Sequence, residues 1–93
     1  EGSPIPAAAA GVVEVSGIYE GFGYCVIINH GNGLKTLYGH MQSPPPVSVG
    51  ATVARGQIIG AVGNTGVSFG AHLHFEVHVN GVPVNPRSKL RAP

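Results

Sequence analysis

Between residues 71 and 79 the chain alternates, with Leu73, Phe75, Val77 and Val79 in one parity and His72, His74, Glu76 and His78 in the other. Successive side chains of a strand point to opposite faces, so the pattern predicts a strand with one apolar face. The opposite face carries three imidazoles and a carboxylate. The same period of two recurs in VVEVS (12–16), read as a strand. YCVIIN (24–29) is a continuous apolar run, consistent with a strand buried on both faces. HGNG (30–33) is a turn cluster, and LKTLYGH (34–40) is the return strand of a hairpin.

Punctuation by glycine and proline organises the rest. VNGVPV (79–84) carries Asn80-Gly81, a strong signal for a tight hairpin. ATVARGQIIGAVG (51–63) reads as short strands broken by glycines. MQSPPPVSVG (41–50) crosses as a loop, because three consecutive prolines have no N–H to give a ladder. NTGVSFGA (64–71) is a polar, glycine-punctuated loop leading into the histidine strand. The first eleven residues, EGSPIPAAAAG, form an extended lead-in, since the alanines lie between proline and glycine with too little length for a helix. No internal repeat, low-complexity tract or linker is present.

Composition sharpens this to one small all-β domain. Ninety-three residues suffice for a single core. With 43% hydrophobic and 10% charged residues the chain is unlike a disordered one, and 15 glycines with 8 prolines suit many tight turns rather than a helical bundle. Five basic and four acidic residues give a net charge of +1. That is not the basic footprint of a nucleic-acid binder; Arg87, Lys89 and Arg91 read as solvated cations of a terminal tail. The lone Cys25 sits in an apolar run and reads as a buried, inert thiol. No apolar run is long enough to span a membrane and no signal-peptide pattern occurs, which leaves the compartment open.

The histidines are the candidate chemistry. Neutral imidazole is a common ligand for zinc-like metals and titrates near neutral pH. Two histidines at i and i+2, His72 and His74, project side by side. They can offer two nitrogens to one metal, or one to a metal and one to its bound water. The tripeptide alone favours the simpler reading, a pair of polar surface residues on an amphipathic strand. The small residues of the preceding loop leave the histidine face open, and TLYGH ends a second strand at His40, so three histidines from two strands are expected to converge. His30 reads as a structural or surface residue of the hairpin turn. His78 reads as surface and Lys35 as an exposed hairpin lysine. Glu76 is either a carboxylate partner to a histidine or an ordinary structural or surface group.

INHGNGLKTLYGHM, then VSVGATVARGQIIGAVGNTGVSFGAHLHFEVHVNG, resembles the catalytic core of the lysostaphin/LytM-type zinc metallopeptidases, the M23 peptidases. The shared signature runs HGNG, T-x-Y-x-H, V-x-x-G-x-x-V-x-x-G-Q-x-I-G, G-x-T-G, then HLHFE, and spans residues 1–86. The resemblance implies a small, mostly antiparallel β domain over 1–86 with a tail at 87–93. It implies action on peptide cross-links or cross-bridges of bacterial peptidoglycan, and with it an extracellular, periplasmic, cell-wall or phage setting. Matched to the family pattern, His74 is the implied zinc ligand, and His72 and His40 are the implied assisting histidines. The family completes its zinc site with an earlier motif bearing a histidine and an aspartate, which falls before GSPIPAAAAGVV. The chain begins at Glu1 and contains no aspartate. One of three protein ligands is therefore expected within these residues, with a weakened metal site and activity unless His72, Glu76 or another chain substitutes.

Two other function classes fit less well. Non-catalytic relatives that bind peptidoglycan or activate a separate hydrolase usually lose the site histidines, which are kept here. VSVGATVARGQIIG is also similar to the pattern of biotinyl/lipoyl carriers. Lys35 in GLKTLYG lacks the flanks of a modifiable lysine, however, and a carrier leaves HLHFE unexplained.

Overall fold

The computed structural model describes residues 2–63 and 74–84. Eight strands are present among them: β1 (Pro4–Pro6), β2 (Gly11–Ile18), β3 (Tyr24–Gly31), β4 (Leu34–Met41), β5 (Thr52–Val53), β6 (Ile58–Ala61), β7 (His74–Val79) and β8 (Val82–Val84). A six-stranded antiparallel sheet runs in the order β5-β2-β3-β4-β7-β8, and β1 pairs with β6 as a separate ribbon. The expected all-β, antiparallel architecture is therefore what the chain adopts. Strands at 12–16, 24–29 and 34–40 appear with slightly wider bounds. Both hairpins close on two-residue turns, Asn32-Gly33 and Asn80-Gly81, with all four residues at positive φ. That is the mirror-image turn geometry that matches strand twist, and it explains Asn-Gly in both places. His30 thus lies in β3, just before the turn rather than within it. The lead-in contributes a strand that its two prolines had disguised. Pro4 and Pro6 are accommodated because β1 belongs to a two-stranded ribbon with open edges.

One face of the large sheet is covered and the other is open. Val13, Val26, Ile28 and Tyr38 of the sheet meet Ile5, Ala7 and Ile59 from the ribbon side, with Met41 and Val53 completing the cluster. Each such aliphatic side chain contributes about 1.5–3 kcal/mol on full burial. Phe75 packs against this cluster and Val77 is fully buried. Phe75 and Val77 of the histidine strand thus point into the core as expected, and Cys25 is a buried thiol.

A buried polar chain ties the strands to the lead-in. The Ala8 N–H donates to the Tyr38 hydroxyl (2.9 Å), which lies 2.7 Å from Thr36 Oγ1. Thr36 Oγ1 is 2.7 Å from His30 Nε2, and His30 Nδ1 is 2.8 Å from the Ala10 carbonyl oxygen. A carbonyl only accepts, so His30 donates from Nδ1; in a neutral ring Nε2 then accepts from the Thr36 hydroxyl, and every group in the chain is satisfied in one direction. Burial pushes the Tyr38 phenol up despite its hydrogen bonds to Thr36 and Ala8. His30 is structural, one of the two roles expected of it.

Two bulges reshape the open face. In β2, Val13 pairs with Ile28 but Val15 with Ile27, so Glu14 is an extra residue. In β4, Tyr38 pairs with Val26 but Met41 with Tyr24, so Gly39 and His40 together oppose Cys25. His40 sits at φ 56°. Strict alternation would send its imidazole to the core with Thr36 and Tyr38; the extra residue sends Met41 there instead.

A left-handed conformation costs a residue bearing a Cβ roughly 1–2 kcal/mol. Glycine escapes that cost but loses about 0.5–1 kcal/mol to its greater freedom when unfolded. His40→Gly is therefore expected to be more stable than His40→Ala by about 0.5–1 kcal/mol, although both delete the imidazole. Denaturant unfolding of the two variants checks this; an alanine variant as stable as the glycine one would contradict the strained bulge.

Candidate active site

Register places the site. On the open face Gly39 pairs with His74, Leu37 with Glu76 and Lys35 with His78. Residues directly opposite in an antiparallel pair share a face. These six therefore form three rungs of one surface, and the bulge adds a seventh group. The His40 ring lies 5.8 Å from the His74 ring, nearly perpendicular at 85°. His40 is 5% exposed, whereas His74 is half-buried at the head of the open face.

An aromatic wall closes one side. A short 3-10 turn at Glu20–Phe22 brings the Phe22 ring to 5.0 Å from His74 and 6.3 Å from His40. Tyr19 stacks behind it at 6.2 Å, almost parallel at 9°. Gly39 makes this approach possible. A Cβ there would stand 3.2 Å from Phe22 Cβ, 3.3 Å from its Cδ1 and 3.5 Å from His74 Cβ. Residues 17–23 carry no clear strand or helix pattern in sequence, so Phe22 was missed there; its one signal is an aromatic held between two glycines ahead of a strand.

From this wall a trough of ≈ 400 Å³ runs over Val15, Ile27 and Leu37 to Lys35 and His78. Its floor is apolar and its far end is charged. Glu14 binds Lys35 (2.8 Å) and accepts from Asn29 Nδ2 (2.8 Å). The lysine bond, then the amide bond, hold the Glu14 carboxyl below its usual range. Glu76 lies between two imidazoles, 2.6 Å from His74 Nε2 and 2.7 Å from His78 Nε2. Partial burial works against its charge, but the hydrogen bonds and coulombic attraction of His74 and His78 together outweigh it, and the carboxyl is held low.

The structure thus brings His40 and His74 together, and His72 lies outside the described residues. Glu76 takes the histidine-partner reading. His78 is more than a surface group: it faces the trough with its ring bonded to Glu76. The Lys35 side chain, expected to be exposed, is 42% exposed but is paired with Glu14 and lines the trough.

Among the described residues no three metal-binding side chains gather around one point. The donor chemistry of His74 nevertheless suits a single ligand. Its Nε2 is bound by a carboxylate, the arrangement that fixes a ligating imidazole and raises its basicity, and Nδ1 is the nitrogen left to face a metal.

Residues 1–86 match peptidase family M23, and the chain belongs to that family. The DD-carboxypeptidase/endopeptidase Mpg of Neisseria meningitidis serogroup B is 44% identical over 88 residues, 95% of this chain and 20% of its own length. The murein hydrolase activator EnvC of Escherichia coli is 40% identical over 90 residues, 97% of this chain and 21% of its own. This chain spans about a fifth of the length of these curated relatives. The catalytic domain of lysostaphin, an antimicrobial peptidase from Staphylococcus simulans, superposes with a TM-score of 0.89 at 33% identity, covering 98% of this chain and 72% of that one. A zinc-containing peptidase from Vibrio cholerae superposes at 0.87 with 36% identity, covering 99% of this chain and 27% of that one.

The Gly39–Phe22 contact makes a prediction independent of chemistry. Gly39→Ala is expected to destabilise the wild type by about 1–2 kcal/mol, a small overpacking cost. In a Phe22→Ala background the new methyl group has room, so the same change should cost at least about 0.5 kcal/mol less. Unfolding of the four proteins in the cycle decides it; strictly additive effects would show that Phe22 does not press on β4.

Proposed function

We propose that these residues form part of a zinc-dependent endopeptidase site that hydrolyses peptide bonds of bacterial peptidoglycan. The observation that carries this reading is the juxtaposition of His40 and His74, which a bulge in β4 creates on the open face of the sheet. Membership of the M23 family and the likeness to Mpg and lysostaphin support it. The substrate sets the place of action: outside the cytoplasmic membrane, in the periplasm, at the cell wall or beyond. No helix among the described residues is long and apolar enough to cross a membrane.

In this reading His74 is a metal ligand, through the ring nitrogen that Glu76 does not hold. Family resemblance assigns the other two ligands to a histidine and an aspartate in a motif N-terminal to these residues. Zinc, when bound, would supply Lewis acidity, lowering the pKa of water to near neutral pH and polarising a carbonyl. His40, fixed edge-on beside His74, takes the proton of the attacking water on an imidazole nitrogen and returns it to the departing amine. His72 shares this work as the second assisting histidine. Phe22 and Tyr19 shield the imidazoles from bulk water on one side, and the apolar trough receives an extended stretch of peptide next to the reacting bond.

The likeness to EnvC favours a second reading, a module that activates a separate murein hydrolase. The paired imidazoles weigh against it, because an activator has no need of them.

Substitutions in the full protein that carries these residues separate the roles. His74→Ala is expected to lose zinc and activity together. His40→Ala and His72→Ala are expected to keep zinc while hydrolysis of cross-linked peptidoglycan falls by about 10²–10⁴-fold. Metal content and peptide release are measured on the same preparations. Full zinc and full turnover in all three would refute the proposal. A protein that releases no peptide but stimulates a second hydrolase would establish the activator reading.

A further inference from the structure

Strand β7 places three titratable side chains in a row on the open face: His74, Glu76 and His78. The outer two do not contact each other; both reach the carboxylate between them. Glu76 Oε2 lies 2.6 Å from His74 Nε2, and Glu76 Oε1 lies 2.7 Å from His78 Nε2. An ionised carboxylate only accepts, so each bond requires a proton on the imidazole Nε2. Both distances fall at the short end for N–H···O, as expected when the acceptor is charged. A neutral imidazole carries one N–H, so His74 is left with a bare Nδ1.

Among the described residues, the lysine that shares the trough with the row is engaged elsewhere. Lys35 sits opposite His78 in register, within the same trough as Glu76. Its ammonium is held 2.8 Å from Glu14, which Asn29 also binds. Glu76 therefore keeps both oxygens for the two imidazoles. The face of the His74 ring is covered by Phe22, and its edge is fixed by Glu76.

We propose that His78 and Glu76 are a pair of positioning residues. His78 anchors one oxygen of Glu76, so that the other fixes His74 in the Nε2–H tautomer and leaves Nδ1 bare as the nitrogen that would take a metal. This rests on the reading of His74 as a ligand and extends it to a residue four positions along the strand, which is bonded to Glu76 and not to His74. Without His78 the Glu76 carboxylate is free to turn about its terminal torsion, and the His74 ring loses its fixed orientation.

The first test needs neither zinc nor substrate. In metal-free full protein labelled with ¹⁵N-histidine, two-bond ¹⁵N–¹H correlation spectra identify the tautomer of each neutral ring. His74 and His78 are both expected as Nε2–H. Glu76→Gln offers one acceptor and one donor in place of two acceptors, so one of the two histidines should convert to Nδ1–H. A carboxylate that does not hold the two rings would not produce that switch. The second test reads zinc affinity by competition with a chelator. His78→Leu and Glu76→Gln should each weaken it by about 10–100-fold, the usual effect of losing an outer partner of a ligating histidine. His78→Gln, whose amide N–H can still donate to Glu76, should restore most of it. An Nδ1–H tautomer at His74 in the wild type, or unchanged zinc affinity in His78→Leu, overturns the proposal. The tautomer result is separate from the peptidase reading, since it would stand in a protein that cleaves nothing and could fail in one that cleaves well.

Discussion

Strand β4 has to belong to the core and to the site at once, and the rest of the structure depends on how it does so. Along most of its length it obeys strict alternation. Thr36 and Tyr38 turn inward, joined to each other and to His30 and Ala8 by hydrogen bonds that leave no buried polar side-chain atom unpaired among the described residues. Then the alternation breaks. Two residues, Gly39 and His40, take the space of one, and a left-handed backbone at His40 reverses the parity of the strand's last residues. Met41 goes into the core and the imidazole to the open face. Strain at a non-glycine residue persists where its surroundings overdetermine it, and such strain concentrates at functional sites.

The asymmetry of the two sheet faces explains why an open polar site is compatible with so small a domain. Packing the β1–β6 ribbon over one face secures a single apolar cluster. The other face is then free to carry groups that no core would accept. Their mutual pairing limits the cost. Glu14 is matched by Lys35 and Asn29, and Glu76 by His74 and His78. Removing one member of such a set leaves a partly exposed partner without its hydrogen bond. The trough therefore carries two separately paired polar sets on an apolar floor rather than lone surface side chains.

Much of this was legible in the sequence, for reasons that are local. Period-two alternation fixed which face of β7 is apolar, because strand geometry leaves a side chain only two directions. Asn-Gly in both hairpins set the turns, because few residues tolerate consecutive positive φ values. The order of HGNG, T-x-Y-x-H and HLHFE pointed to the M23 family, to which the chain belongs. Prolines hid β1, since a missing N–H argues against a strand unless the strand has an open edge, and edges are a property of the assembled sheet.

Only the tertiary structure decided what the polar residues do. Alternation alone would have sent His40 to the core, and the residue that reverses it is set by pairing against Cys25, on a different strand. Phe22 became a wall for two imidazoles because Gly39, in β4, leaves room for it. His30 and His78 looked alike as polar side chains near hairpins. One proved to be a strut bonded to Thr36 and the other a partner of the site carboxylate. Strand propensity and turn chemistry are carried by neighbours in sequence, so the sequence alone determined most of the strands and their tight turns. Which side chains meet across those elements depends on register and bulges, and these are fixed only when the sheet closes on its core.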